Sequence, residues 1–301
     1  MGFERRDEFV WRLRTRSLEL GRRTLVMGVL NVTPDSFSDG DLYLDPAAAT
    51  ARALEMFGQG ADIVDIGGES TRPGRYEPVS VEEEQRRVLP VIEAVLKARP
   101  DAVLSIDTYK ASTAEASVNA GAEIVNDISA LSWDTQMAGT CVRLKCGVVL
   151  MHTRGRPAEW KRLPPLVPGE VVPVVKAGLA ESLRRADEAA IELDRVVIDP
   201  GYGFGKSFEE NYPVLARQGE LRELGRPVLA GVSRKSFLGR TLADLYGGKD
   251  PPVSERGNAT LAATTASILA GAHIVRVHDV RAAVEAARIA DAILGGRVSG
   301  C

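Results

Sequence analysis

Two sets of side chains, far apart in the chain, are of types that do chemistry together. The first is Asp107, Asn126, Asp199 and Lys235. It offers two carboxylates, an amide and a cation, which suits a flat heterocycle with adjacent donors and acceptors. A carboxylate accepts two N–H bonds from an aminopyrimidine edge. The second set is Asn31, Arg72, Arg276 and His278. Two guanidiniums, an imidazole and an amide suit a phosphate or diphosphate. No cluster of carboxylates and histidines makes a dedicated metal cage. A Mg2+ carried mainly by ligand phosphates, with Asn31 as a protein oxygen, fits the set better. Each residue also has a bland reading. A rim aspartate can simply be salt-bridged, Arg276 can pair with Asp279 or a neighbouring strand's carboxylate, and His278 can be a hydrogen-bonded rim histidine.

The elements that must position these residues are legible around them. Leu25–Leu30 is an apolar run that stops at Asn31 and opens a polar loop, Val32-Thr33-Pro34-Asp35-Ser36-Phe37-Ser38-Asp39-Gly40. Such a run, bounded by turn residues, is a buried strand delivering a polar residue to its C-terminal end. The event recurs. Strands over 62–67, 102–106, 123–125, 147–150, 195–198, 227–231 and 273–277 end at or near Asp65, Asp107, Asn126, Met151-His152, Asp199, Ser233-Arg234-Lys235 and Arg276-Val277-His278. One polar residue after a strand is ordinary turn chemistry. Eight converging on one rim are not.

Helices fill the intervals. Asp45-Pro46 opens one over 46–59 as N-cap and first turn. Ser80 with Glu83 makes a capping box for 80–99. Others are expected over 110–120, 134–144, 173–192, 208–224, 257–270 and 280–294, with loops over 153–170 and 247–256. Eight strand–helix units in about 270 residues predict a closed (β/α)8 TIM barrel over 24–294 within a single domain of 1–301. An open doubly wound sheet would need a Gly-x-Gly-x-x-Gly turn after its first strand, and Asn31-Val32-Thr33-Pro34 is not one. Within 1–23, Val10–Arg14 and Ser17–Leu20 alternate apolar and polar residues. They predict a short N-terminal hairpin or extension closing one end.

The 301 residues carry a net charge of −3, so no basic excess points to nucleic acid or an anionic membrane. No apolar run is long enough to span a bilayer, and the first residues lack a signal-peptide core. Cys141, Cys146 and Cys301 are an odd number without Cys-x-x-Cys spacing, read as reduced thiols of a cytoplasmic protein. The loop Asp199-Pro200-Gly201-Tyr202-Gly203-Phe204-Gly205-Lys206 has two readings, a phosphate cradle or a tight turn presenting Phe204.

From Val26 to about Leu294 the chain resembles the dihydropteroate synthases. The motifs that carry the resemblance are Asn31 to Gly40, Asp65-Ile66-Gly67-Gly68-Glu69-Ser70-Thr71-Arg72-Pro73-Gly74, Ser105-Ile106-Asp107-Thr108, Asn126-Asp127, Asp199 to Lys206, Ser233-Arg234-Lys235-Ser236 and Arg276-Val277-His278-Asp279. The resemblance implies condensation of (7,8-dihydropterin-6-yl)methyl diphosphate with 4-aminobenzoate, in folate synthesis, by a Mg2+-dependent transferase that is often a homodimer and a sulfonamide target. It implies pterin contacts from Asp107, Asn126, Met151, Asp199 and Lys235. Asn31, Arg72, Arg276 and His278 would hold diphosphate and metal. Phe37, Ser70, Thr71, Pro73, Phe204 and Ser236 would surround 4-aminobenzoate. Asp107, Lys235, Arg276 and His278 would be the catalytic set. The chain departs from the family pattern at Asp41 and in Thr153-Arg154-Gly155-Arg156-Pro157. The rival readings are a methyltetrahydrofolate methyltransferase-like barrel, which needs no diphosphate site, and a non-catalytic pterin carrier.

Overall fold

A computed structural model of the chain describes residues 3–33, 45–70, 78–167 and 169–295. Its strands are β1 Phe9–Arg12, β2 Ser17–Leu20, β3 Leu25–Asn31, β4 Ile63–Gly67, β5 Leu104–Asp107, β6 Ile124–Asp127, β7 Gly147–Met151, β8 Val196–Asp199, β9 Leu229–Ala230 and β10 Ile274–Val277. The helices are α1 Pro46–Gly58, α2 Val81–Ala98, α3 Ala111–Asn119, α4 Met137–Leu144, α5 Val171–Glu188, α6 Asn211–Ala216, α7 Ser236–Leu242, α8 Gly257–Leu269 and α9 Val280–Ile293. β3 to β10 pair in parallel in the order β8-β7-β6-β5-β4-β3-β10-β9, and a single parallel bridge, Ile198 to Val228, closes the ring. The expected barrel is present. Among the described residues no helix is long and apolar enough to cross a membrane.

Helix ends follow local chemistry. Asp45 caps α1 through Ala47 N at 2.9 Å with Pro46 in the first turn, and Ser80 caps α2 through Glu83 N at 3.2 Å. Three elements differ from expectation. The helix expected over 208–224 is α6 followed by a 3-10 turn, Gln218–Leu224, because the backbone leaves α-helical geometry at Arg217, with φ −114° and ψ 17°. The strand expected over 227–231 keeps only Leu229–Ala230. Helix α7 lies just after the Ser233-to-Ser236 turn, where no helix is expected.

The barrel interior is stacked in layers. Leu25, Met27, Ile63, Val103, Ile124, Val149, Val197, Leu229 and Ile274 form one buried apolar cluster with Trp11, Leu13 and Leu20. The hairpin β1–β2 therefore plugs the end of the barrel at which the strands start. Trp11 Nε1 donates to Arg195 O at 2.7 Å, and Gly147 leaves the space the plug occupies: a Cβ there would lie 2.6 Å from Leu13 Cδ2. Because side chains alternate along a strand, whatever stands two or four residues beyond a plug residue also faces inward. From Ile63 that places Asp65; from Val103, Asp107; from Ile124, Asn126; from Val149, Met151. From Val197 it places Asp199; from Ile274, Arg276 and His278; from Met27, Asn31. One alternation supplies an apolar floor and a polar layer above it.

Candidate active site

At the C-terminal ends of the strands is a cavity of about 250 Å³, whose lining includes Asn31, Ser70, Asp107, Phe204, Lys235, Ser236, Arg276 and His278. Eight of the residues expected from sequence thus line one space. Asn126, Met151 and Asp199 are buried in the layer beneath, each two residues above the plug. Arg72, Phe37, Thr71 and Pro73 lie outside the described residues.

The two sets distinguished by chemistry are joined here by one residue. Arg276 Nε donates to Asp65 Oδ2 at 2.6 Å and its Nη2 donates to Asp107 Oδ2 at 2.6 Å. Asn126 Nδ2 donates to the same Asp65 oxygen at 2.9 Å. In this state Arg276 does pair with neighbouring strands' carboxylates, Asp65 on β4 and Asp107 on β5. It does not pair with Asp279, which is held by Arg234. Asp65 is fully buried, and its Oδ1 has no hydrogen-bond partner among the described residues. Sequence reasoning placed it on the rim but gave it no task. No local signal marks it, because its two partners come from β6 and β10.

Burial sets the electrostatics. Desolvation pushes the Asp107 carboxyl up to about 7; Arg276 pulls it down, and Asp65 and Glu84 raise it. Asp199 is also raised by burial, against the Gly201 N–H and the Lys235 charge, which favour its ionised form. For Arg276 burial acts downward, but Asp65 and Asp107 outweigh it and hold the guanidinium above its ordinary value. The site therefore holds a firmly charged cation beside two carboxyls, Asp107 and Asp199, that burial shifts upward.

The glycine loop resolves to the tight turn. Gly201 N donates to Asp199 Oδ1 at 2.7 Å, Gly203 N to Asn211 Oδ1 at 2.7 Å, and Phe204 N to Gly201 O at 3.1 Å. With three N–H groups spent internally, the loop is not a phosphate cradle. Gly201, Gly203 and Gly205 have φ of +67°, +81° and +67°, the left-handed region that favours glycine. The buried Lys206 ammonium instead gathers the loop, bonding Gly201 O at 2.8 Å, His152 O at 3.3 Å and Phe204 O at 3.4 Å. Burial lowers Lys206 to about 7, with Asp199 acting upward. The turn presents Phe204, over which Lys235 Nζ sits 4.1 Å from the ring centroid, and against which Trp160 packs edge-on at 5.2 Å. Trp160 comes from the Arg- and Pro-rich loop, where no pattern announces it.

The match to known proteins follows the same residues. Residues 27–278 match the family described as pterin binding enzyme. A dihydropteroate synthase of Clostridium beijerinckii is 41% identical over 281 residues, 93% of this chain and 98% of that protein. The chain belongs to the dihydropteroate synthase family. As a member it is an enzyme, a transferase of folate biosynthesis. The synthase of Xanthomonas albilineans solved with 4-aminobenzoic acid superposes with a TM-score of 0.84 at 40% identity, covering 95% of this chain and 98% of that one. The Xanthomonas albilineans synthase solved with 7,8-dihydropteroate gives 0.80 at 38% identity, covering 94% and 98%.

Proposed function

We propose that this chain joins 4-aminobenzoate to (7,8-dihydropterin-6-yl)methyl diphosphate, releasing diphosphate, with the residue roles set out above. The observation that carries the reading is the single network in which Arg276 spans Asp65 and Asp107 beside Asn126, at the base of a cavity lined by Asn31 and His278. Asp107 and Asp199 accept from the pterin's amino and ring N–H groups, Asn126 contributes its remaining amide valences, and Met151 packs on the ring. Lys235, held over Phe204, adds a donor to the pterin edge. Ser70, Phe204 and Ser236, with Phe37, Thr71 and Pro73, receive 4-aminobenzoate.

Bond making and breaking then need little proton management. The amine nitrogen attacks the pterin methylene, the C–O bond breaks, and diphosphate takes the electron pair. Arg276, His278 and Arg72 stabilise the charge that develops on the leaving oxygens. The anilinium formed is acidic and loses its proton to a weak acceptor such as the departing diphosphate. The reaction therefore needs no strong general base. The donor set also fits Mg2+ held chiefly by the ligand. Among the described residues no group of three His, Cys, Asp or Glu can hold a metal, whereas Asn31 offers an amide oxygen at the cavity wall. Mg2+ bound there supplies neutralisation of diphosphate charge.

Two further readings accompany this one. Helix α9 exposes Ile289 and Ile293, at 65% and 51%, and α8 exposes Ala262 and Ala266 beside it, which supports a homodimer through this face. The buried free thiols of Cys141 and Cys146 support a reducing compartment, the cytoplasm. The deciding experiment measures diphosphate released with pterin diphosphate and Mg2+, with and without 4-aminobenzoate. Release that needs 4-aminobenzoate and yields dihydropteroate is expected. No release, or release indifferent to 4-aminobenzoate, overturns the reading. Sedimentation that finds only a monomer at micromolar concentration overturns the dimer.

A further inference from the structure

The turn that carries Lys235 and Ser236 has almost no main-chain support against its neighbour. β9 pairs with β10 only through Leu229–Ile274 and Ala230–Val275, so the ladder stops before Gly231. Residues 231–236 must nevertheless face Arg276 and His278 across the cavity. Side chains do the work that ladder bonds do elsewhere. Ser233 Oγ lies 2.9 Å from His278 Nδ1 and accepts from His278 N at 3.3 Å. Arg234 makes a forked pair with Asp279, Nη2 to Oδ1 at 2.7 Å and to Oδ2 at 2.9 Å. Its N–H donates to Thr260 Oγ1 at 2.9 Å, and its carbonyl accepts from Arg256 Nη1 at 3.2 Å.

Two details separate this pair from an incidental surface contact. Arg234 has φ +57°, a left-handed conformation that a non-glycine residue keeps only where its surroundings over-determine it. Asp279 stands at the N-cap of α9, where an aspartate normally caps the helix with its side chain. It makes no cap bond here; its carboxylate is turned to Arg234. Both residues adjoin the catalytic set in sequence, Arg234 before Lys235 and Asp279 after His278. Arg234 also lines the cavity, whereas Asp279 does not, so Asp279 can act on the site only through Arg234.

We propose that Arg234 and Asp279 are positioning residues, a clamp that holds Lys235 and Ser236 in register with Arg276 and His278. The proposal rests on the reaction assigned above and deepens it. The pair is part-exposed, 29% and 43% for the two side chains, so its loss should cost little stability but much geometry. A displacement of about an ångström at a reacting group lowers rates by up to roughly 100-fold.

The test compares wild type with Asp279→Asn, Arg234→Met, the double variant and Arg234→Lys. Each of the first two should lose roughly 10- to 100-fold in kcat/KM while the melting temperature stays within about 3 °C. The double variant should be no worse than the poorer single, because the two act as one unit. Arg234→Lys, which keeps the charge without the fork, should fall between. A crystal structure of unliganded Asp279→Asn gives an arm independent of activity: Lys235 should leave the Phe204 ring and the Ser233–His278 bond should open. Full activity in the single variants, losses that multiply in the double, or an unmoved turn overturns the clamp. A wild type that releases no diphosphate overturns the assigned reaction instead, and the clamp is then decided by the crystal structure alone.

Discussion

Replacing Asp65 by Asn tests whether this buried carboxylate tunes the pterin site through Arg276. Asp65 and Asp107 share one guanidinium, so their charges stand on the order of 5 Å apart; at an effective dielectric of ~20 their repulsion is ~3 kcal/mol, or ~2 pH units. That repulsion helps to push Asp107 up to about 7. Asparagine keeps an oxygen for Arg276 Nε or Asn126 but removes the charge. The Asp107 carboxyl should then titrate roughly 1–2 units lower, allowing for relaxation. In the proposed role, only ionised Asp107 can accept from two pterin N–H groups. Affinity for a pterin lacking diphosphate should therefore rise with pH through about 7 in wild type and through a lower pH in Asp65→Asn. Calorimetric titrations from about pH 5 to 9 read both midpoints, with stability expected to fall by only ~1–3 kcal/mol. A midpoint that stays in place or moves upward refutes the coupling.

Arg276→Ala strands two carboxylates and raises Asp107 further above its unfolded value. A raised carboxyl makes the folded state bind more protons than the unfolded chain, so this variant should lose stability as pH rises from about 4 through 7, more steeply than wild type in thermal melts. Its turnover should fall more than its affinity for a pterin without diphosphate; equal losses would place Arg276 at the pterin alone. Lys206→Met removes the ammonium that gathers three carbonyls, and should weaken 4-aminobenzoate binding through Phe204 more than pterin binding, a comparison calorimetry makes directly. Gly147→Ala drives a methyl into Leu13 and Trp11, costing ~1–3 kcal/mol by denaturant unfolding while pterin affinity is retained.

The barrel was readable because its strands are buried on both faces and appear as short apolar runs, each followed by a polar residue. The hairpin was readable from two-residue alternation, which no barrel strand shows as plainly. What could not be read depends on closure. Arg276 lies 211 residues from Asp65 and 169 from Asp107, and nothing near any of them announces the contact. Helix α7 escaped notice because Ser236–Leu242 is two turns long and Lys235 makes no side-chain cap. The choice between cradle and turn for 199–206 needed the positions of individual N–H groups. The clamp was visible only as adjacency to known motifs, since Arg234 and Asp279 find each other across β9 and β10.

The plug formed by Trp11, Leu13 and Leu20 also bears on the order of events. It makes the barrel a blind-ended well with one mouth. The residues assigned to the pterin, Asn126, Met151 and Asp199, stand one layer above the stopper, whereas Ser70, Phe204 and Ser236 line the cavity above that layer. On the proposed assignments the pterin is expected to enter first and 4-aminobenzoate to cover it, with products leaving by the same mouth. The same stopper predicts that excess 4-aminobenzoate occupying the mouth slows entry of the pterin, so turnover should pass through a maximum as its concentration rises. A hairpin far from the reacting atoms thus writes the traffic rules for the whole enzyme.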